Sequence, residues 1–154
     1  MKPNIRLIVM KSLLVTFCVG LFSFSAKRGG DSFEIWLNGK RMLQEFVHIS
    51  KGVQTLQLTQ VSGNDKLDVY YSHCGQTGND RYITIKDEDN HALKVWKFAD
   101  ATGGDKAMSI RMKDILPLKK NKDSKLNLYY SSKELPQGRL LATLNTSTEG
   151  IAMK

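Results

Sequence analysis

The sequence is poor in cysteine, with only two in 154 residues. Cys18 falls in an N-terminal apolar run that we expect to be removed, which leaves Cys74 as the one thiol of the mature chain. A single thiol excludes an intramolecular disulfide, and with it the small exported scaffolds that disulfides hold together. Cys74 then packs as a small side chain, forms an interchain or mixed disulfide, or works as a reactive thiol. The tendency of cysteine to be buried favours the packed side chain.

Long apolar runs are also missing, apart from the one near the N-terminus. Three basic residues precede an apolar stretch from Leu13 to Phe24, and the small residues Ser23 and Ser25 lie at its end. This is the pattern of a secretory signal peptide. The stretch is shorter than the roughly 20 residues that cross a bilayer, which argues against the alternative of a retained membrane anchor. We therefore predict cleavage after Ser25, with Ala26 as the near alternative, and an exported protein of the periplasm or cell exterior.

The mature chain has the length of one domain. Cleavage after Ser25 leaves 129 residues, enough to bury a core. The predicted organisation is a signal peptide at 1–25, a flexible lead at 26–31, a β-sandwich domain at 32–145 and a frayed tail at 146–154. The signal carries three of the 23 basic residues and none of the 15 acidic ones, so the formal charge falls from +8 to +5. That modest charge does not indicate a nucleic-acid partner, and cleavage leaves no transmembrane anchor.

Sustained helical periodicity is absent, and short alternating segments take its place. Turn signals separate these segments roughly every 8–12 residues, which is typical of a sandwich or barrel. Asn38-Gly39 suits a type I′ hairpin turn, because both residues readily adopt positive φ. One irregular helical turn is expected within 113–120. We predict an all-β fold, an antiparallel β-sandwich of about nine short strands. The predicted strands are Ser32–Leu37, Arg41–Ile49, Val53–Leu58, Lys66–Ser72, Tyr82–Lys86, Leu93–Phe98, Met108–Met112, Lys125–Ser131 and Arg139–Asn145.

One seven-residue segment of the sequence occurs twice in similar form. KLDVYYS at Lys66–Ser72 returns as KLNLYYS at Lys125–Ser131, with similar strands before and after each copy. We infer two pseudo-equivalent three-stranded units that face each other across one core. Alternation directs three side chains of each copy inward and sends Tyr70 and Tyr129 to the opposite face. The alternative is a chance match, because Tyr, Leu and Val are common in strands. The predicted core residues are Leu67, Val69 and Tyr71 in the first copy and Leu126, Leu128 and Tyr130 in the second.

Signatures of common catalytic and metal sites are missing as well. The chain has no G-x-S-x-G, no C-x-x-C and no phosphate-binding loop, so we expect no metal and no cofactor. The acidic run 87–90 is interpreted as a solvated hairpin turn, with a calcium site as the alternative. The adjacent pair His73 and Cys74 is the candidate for a reactive thiol. Neighbours on a strand point to opposite faces, so His73 activates Cys74 only if the loop bends sharply.

Three aromatic residues are candidates for ligand binding. Trp36, Tyr70 and Tyr129 all face away from the core if the alternation is right. Exposed aromatic rings on a flat sheet stack against sugar rings or form protein interfaces. The alternative is that the outer face of each strand is also covered, because aromatic side chains are mostly buried.

Three sequence motifs resemble those of a known group of proteins. With YYSHCG at Tyr70–Gly75, VWKFAD at Val95–Asp100 and LYYSSKELPQG at Leu128–Gly138, it resembles small secreted β-sandwich proteins of unknown function that are common in Bacteroidota. The resemblance implies an exported β-domain and assigns no role to any residue.

The functional prediction rests on what the chain lacks. Many strands without a convergent titratable cluster favour an exported, non-enzymatic module that binds a protein or another component of the cell envelope. The first alternative is a carbohydrate-binding module with Trp36, Tyr70 and Tyr129 as its aromatic platform. The second is a thiol-dependent enzyme that uses Cys74.

Overall fold

The computed structural model describes residues 30–50, 52–100, 107–121 and 124–147. The predicted signal peptide, most of the predicted lead and the end of the predicted tail lie outside these ranges. Nine strands account for most of the described chain. They are β1 (Ser32–Leu37), β2 (Lys40–Phe46), β3 (Gln54–Thr59), β4 (Lys66–Ser72), β5 (Arg81–Lys86), β6 (Ala92–Phe98), β7 (Met108–Arg111), β8 (Leu126–Ser132) and β9 (Leu135–Ser147).

The strands form two sheets, as the sandwich prediction requires. One has four strands in the order β2-β1-β4-β7, and the other has five in the order β3-β9-β8-β5-β6. Neighbours are antiparallel except β3 and β9, which run parallel and depart from the antiparallel prediction. Two 3-10 turns, Met112–Asp114 and Leu116–Leu118, replace the single helical turn predicted there. No helix in the described ranges is both long and apolar enough to span a membrane.

The two strands with the repeated sequence, β4 and β8, meet in the core. Side chains of the predicted core positions on β4 and β8 are all buried, and the rings of Tyr71 and Tyr130 stack between the sheets with centroids 4.1 Å apart. Tyr70 and Tyr129 are half-buried on the outer faces. The two copies therefore face each other, but the three-stranded units do not, because each contributes strands to both sheets.

The first hairpin has the predicted turn. Asn38 and Gly39 have φ of 50° and 77°, both in the left-handed region. The Asn38 side chain also ties the turn to the next strand in the sheet, because its Oδ1 accepts a hydrogen bond from the Lys66 backbone N–H at 2.9 Å. The turn thus fixes β1 against both β2 and β4.

The last strand is longer than predicted. Strand β9 begins at Leu135 and continues through Ser147, so the first residues of the predicted frayed tail belong to the sheet. Thr146 is fully buried there. The extension exists because β9 is an inner strand that pairs with both β8 and β3.

Candidate functional site

A shallow groove crosses the outer face of the four-stranded sheet. In the register of β1 and β4, Ser32 lies opposite Ser72, and Glu34 lies opposite Tyr70. Trp36 and Tyr70 make an edge-to-face contact with ring centroids 6.2 Å apart and an interplanar angle of 66°. These five side chains border a groove of about 320 Å³, which we call the β1–β4 groove.

Glu34 holds the Trp36 ring in place. Trp36 Nε1 donates a hydrogen bond to Glu34 Oε2 at 2.8 Å. Arg41 Nη1 lies 3.4 Å from the other carboxylate oxygen, and its guanidinium carbon lies 5.8 Å from the centroid of the Trp36 ring. Among the described residues, the Tyr70 hydroxyl has no hydrogen-bond partner, so it remains available to a ligand.

Asp68 is a buried carboxylate on β4, two residues before Tyr70. It lies opposite Trp36 in the register and is buried, although it faces outward. Ser109 Oγ donates a hydrogen bond to Asp68 Oδ1, and Lys66 Nζ lies 3.1 Å from Asp68 Oδ2. The ammonium and hydroxyl satisfy the buried carboxylate, which explains how the sheet tolerates it.

Tyr129 lies on the other sheet. It is paired with Thr84 on β5 and Leu140 on β9, on the outer face of the five-stranded sheet, and Lys86 Nζ lies 4.3 Å from its ring centroid. Trp36 and Tyr70 share one face, whereas Tyr129 is on the far side of the sandwich. The three predicted aromatic residues therefore do not form a single platform.

Cys74 occupies a tight turn at the end of β4. Cys74 and Gly75 both have positive φ, as a type I′ turn requires, and His73 and Gln76 exchange two backbone hydrogen bonds across it. The thiol is exposed, which overturns the prediction of a packed side chain. Its neighbour is Asp31, with Cys74 Sγ 3.8 Å from Asp31 Oδ1. The thiol thus lies in an exposed turn beside a carboxylate.

The His73 ring lies against side chains of β8. His73 Nε2 lies 3.0 Å from the Tyr130 hydroxyl and 3.1 Å from Ser132 Oγ, and His73 Nδ1 lies 3.6 Å from Asp31 Oδ2. The loop does bend sharply, and both side chains meet the Asp31 carboxylate, Cys74 at Oδ1 and His73 at Oδ2. Among the described residues, no hydrogen bond joins the His73 ring to the thiol directly, so the reactive pair stays a prediction.

Asp31 is the centre of this polar cluster. Its Oδ2 accepts a hydrogen bond from the Tyr71 hydroxyl at 2.8 Å and lies 3.2 Å from Arg139 Nη1. Arg139 also donates to the Tyr71 hydroxyl. Burial, and then the hydrogen bond to Asp31, raise the pKa of Tyr71 well above its usual range. Asp31 was predicted to belong to a flexible lead, and instead it anchors the start of the fold.

Asp31, His73 and Ser132 follow the order of an acid–base–nucleophile set, which sequence reasoning missed. Ser132 is only 5% exposed. Gly78 lies directly against the cluster: a Cβ at this position would come within 2.5 Å of the Tyr130 hydroxyl and 2.9 Å of His73 Nε2. The burial of Ser132 and the crowding at Gly78 show that these groups are enclosed by the chain, where they hydrogen-bond to one another.

Glu134 completes the cluster at its outer side. Burial acts against its ionisation, but hydrogen bonds from the backbone and side-chain N–H groups of Asn79 outweigh that cost and lower the pKa of Glu134 to about 2. The carboxylate thereby fixes the loop that carries Gly78 against β8.

The acidic turn after β5 is not simply solvated. Asp87 is buried, and its Oδ1 accepts backbone hydrogen bonds from Asp89 and His91. The His91 backbone bond leads the interactions that lower the pKa of Asp87. Ligand atoms of Asp87, Asp89 and His91 lie within 4.8 Å of one another, but Lys120 Nζ already lies 3.2 Å from Asp87 Oδ2. The carboxylate therefore acts as a turn cap with its own counter-ion.

No protein-family model matches the chain, and no curated protein matches its sequence. The resemblance to small secreted proteins thus stays a prediction.

Proposed function

We propose that this domain is an exported, non-enzymatic binding module whose ligand occupies the β1–β4 groove. The observation that carries the proposal is the Trp36–Tyr70 pair on an open sheet face, with the Glu34 carboxylate and two serine hydroxyls beside it. A binding site commonly combines aromatic walls with a few oriented polar groups.

A glycan of the cell envelope fits this groove best. The C–H bonds of a sugar ring pack on the electron-rich face of an aromatic ring, while its hydroxyls need hydrogen-bond partners at the edge. Tyr70 supplies both a ring and a hydroxyl, and Ser32 and Ser72 lie opposite each other on the adjoining strands. The Glu34 hydrogen bond fixes the Trp36 ring before a ligand arrives, which reduces the entropy lost on binding.

A protein is the other candidate ligand for a binding module of this kind. The groove is at the small end of the range for small-molecule sites, which is about 300–1,000 Å³. A standard protein partner covers roughly 800 Å² of each surface, so it would have to extend well beyond the Trp36–Tyr70 pair. The size of the groove therefore favours a short saccharide.

Retention on immobilised envelope polysaccharide tests the proposal. We expect Trp36→Ala and Tyr70→Ala each to weaken retention by about tenfold. The size is taken by analogy with nucleic-acid bases, whose stacking on one aromatic side chain contributes roughly 1–3 kcal/mol. Tyr129→Ala is the matched control, since it removes the same kind of side chain from the opposite sheet. It should leave retention unchanged.

Two results would contradict the proposal. If the wild-type protein is retained by no envelope glycan, the ligand is not a saccharide, and capture of a protein would replace it. If Tyr129→Ala weakens retention as much as Tyr70→Ala does, the ligand does not occupy the β1–β4 groove.

A further inference from the structure

Phe46 lies on the same sheet face as the β1–β4 groove. In the register of β1 and β2, Ser32 is paired with Phe46, and Glu34 is paired with Gln44. Paired residues of antiparallel strands point to the same side of the sheet, with β-carbons about 4.5–5.5 Å apart. Ser32 and Glu34 line the groove. Phe46 and Gln44 therefore extend its surface onto the edge strand β2.

The ring of Phe46 is open to solvent and held in place. The residue is 45% exposed, whereas the next residue, Val47, packs against the core. The ring makes an edge-to-face contact with the His48 ring, with centroids 6.4 Å apart and an interplanar angle of 67°. This contact restricts the ring before a ligand arrives, as the Glu34 hydrogen bond does for Trp36.

Phe46 and Trp36 lie toward opposite ends of the groove. Ser32, the partner of Phe46, is four residues from Trp36 on β1, and four residues of a strand span about 13 Å. This span is longer than a single sugar ring. A saccharide that contacts both aromatic positions must therefore be a chain of several rings that runs along β1.

Free polar groups lie between the two aromatic positions. Gln44 is exposed, and in the part of the chain that the structure describes neither its amide nor the Ser32 hydroxyl has a hydrogen-bond partner. An amide and a hydroxyl each offer both donors and acceptors, so they can bind the hydroxyls of the intervening rings. The surface from Phe46 to Trp36 thus combines aromatic rings with unused polar groups, as a glycan site requires.

We propose that Phe46 is a second aromatic subsite, so that the β1–β4 groove binds a linear polysaccharide chain and not an isolated sugar. The inference rests on the proposed function, because it assigns the length and direction of that same ligand. One ring of the chain stacks at the Trp36–Tyr70 pair, and a ring further along stacks on Phe46. Once the first contact has formed, the second is intramolecular, so affinity depends on chain length.

Affinity for fragments of graded length tests the inference. The polysaccharide that retains the wild-type protein is cut by partial acid hydrolysis, fragments of one to six rings are separated by size, and titration calorimetry measures their affinities. We expect the wild-type affinity to rise about tenfold once a fragment reaches both subsites, by the same analogy with stacked bases. Phe46→Ala should abolish this rise and leave the affinity for the shortest fragments unchanged.

Two control variants separate stacking from other effects. Phe46→Tyr keeps the aromatic ring and should keep the rise in affinity with length. Val95→Ala removes a similarly exposed apolar side chain from β6, the edge strand of the other sheet, and should behave as the wild type does.

Each other result overturns the inference. If the wild-type affinity does not depend on length, the Trp36–Tyr70 pair is the whole aromatic site, and the proposed function stands without a second subsite. An equal loss at every length in Phe46→Ala shows a general disturbance of the groove. A rise that is also lost in Phe46→Tyr or Val95→Ala does not come from stacking on this ring. If no envelope polysaccharide retains the wild-type protein, the proposed function fails, and this inference fails with it.

Discussion

The rings of Tyr71 and Tyr130 stack between the two sheets with centroids 4.1 Å apart and an interplanar angle of 13°. Their hydroxyls point to different partners: Tyr71 reaches Asp31, and Tyr130 reaches His73. Each tyrosine is the sixth residue of its copy of the echoed strand. The two copies of the repeat therefore meet through the stacked rings of Tyr71 and Tyr130. The hydroxyls of the two rings belong to the polar cluster around Asp31 and His73.

The Tyr71 hydroxyl should contribute measurably to stability. In Tyr71→Phe, Asp31 and Arg139 lose their common hydrogen-bond partner in a partly buried site. We expect the free energy of unfolding to fall by about 1–3 kcal/mol, measured by urea denaturation. Tyr70→Phe is the control, because its hydroxyl lies on the outer face, and it should cost nothing measurable. Equal effects of the two variants would refute the network.

Gly78 should not tolerate a side chain. The contacts with the Tyr130 hydroxyl and His73 Nε2 leave no room for a Cβ, so Gly78→Ala should destabilise the protein by about 1–3 kcal/mol. Adding Tyr130→Phe removes the nearest of these atoms and should recover part of the loss in a double-mutant cycle. Strict additivity of the two changes would show that Gly78 does not press on this hydroxyl.

Thr146 offers a substitution that should stabilise the protein. Within the described ranges, its buried hydroxyl has no hydrogen-bond partner. Thr146→Val keeps the shape and removes the unpaired group, so the free energy of unfolding should rise by about 1 kcal/mol. Thr143→Val is the matched control, because Thr143 Oγ1 donates to Asn127 Oδ1 at 2.9 Å and its loss should destabilise. The pair is compared by thermal unfolding.

Acid should release the Glu134 contact. Folding lowers its pKa from an ordinary 4.5 to about 2, so the stabilisation is complete above pH 4.5 and is lost as the pH falls toward 2. In Glu134→Gln, the dependence of unfolding free energy on pH should become flatter in that window. Glu45→Gln makes the same change in net charge elsewhere and is the matched control for that change. An unchanged slope in Glu134→Gln would contradict the assigned hydrogen bonds.

The exposed thiol gives a direct test of the turn at the end of β4. Cys74 should react with iodoacetamide in the folded protein about as fast as after denaturation, because the thiol is already exposed. Cys74→Ser should leave stability unchanged. A thiol that reacts only after unfolding would restore the packed side chain expected from cysteine's usual burial. A thiol that is blocked until reductant is added would instead identify a disulfide with another molecule.

Local patterns predicted the strands well, because each strand carries its own alternation. Leu67, Val69 and Tyr71 are buried as period two requires, and the bounds of β1 and β4 agree with the prediction. The pairing of strands did not follow from the sequence. The parallel contact between β3 and β9 joins Gln54 to Ala142, and no local signal specifies a partner so distant along the chain.

The polar cluster was missed for the same reason. Asp31 stands beside two glycines and reads as part of a mobile lead, yet its partners arrive from β4 and β9. His73 and Ser132 are 59 residues apart in the sequence, so their contact could not be predicted from the residues around either one. The Trp36–Tyr70 pair was within reach of sequence reasoning, since both residues alternate outward. That Tyr129 faces the opposite way across the sandwich depends on sheet order, which alternation does not encode.

The ion pair between Asp31 and Arg139 joins residues 108 positions apart, nearly the full span of the domain. The strand that carries Arg139 is also the inner strand that holds β3 and β8 together. A nascent chain that ends at β8 therefore lacks the ion pair that holds Asp31, and it lacks an inner strand of the larger sheet. The larger sheet and this ion pair can therefore form only after almost all of the domain has been synthesised, whereas every strand of the smaller sheet is made earlier.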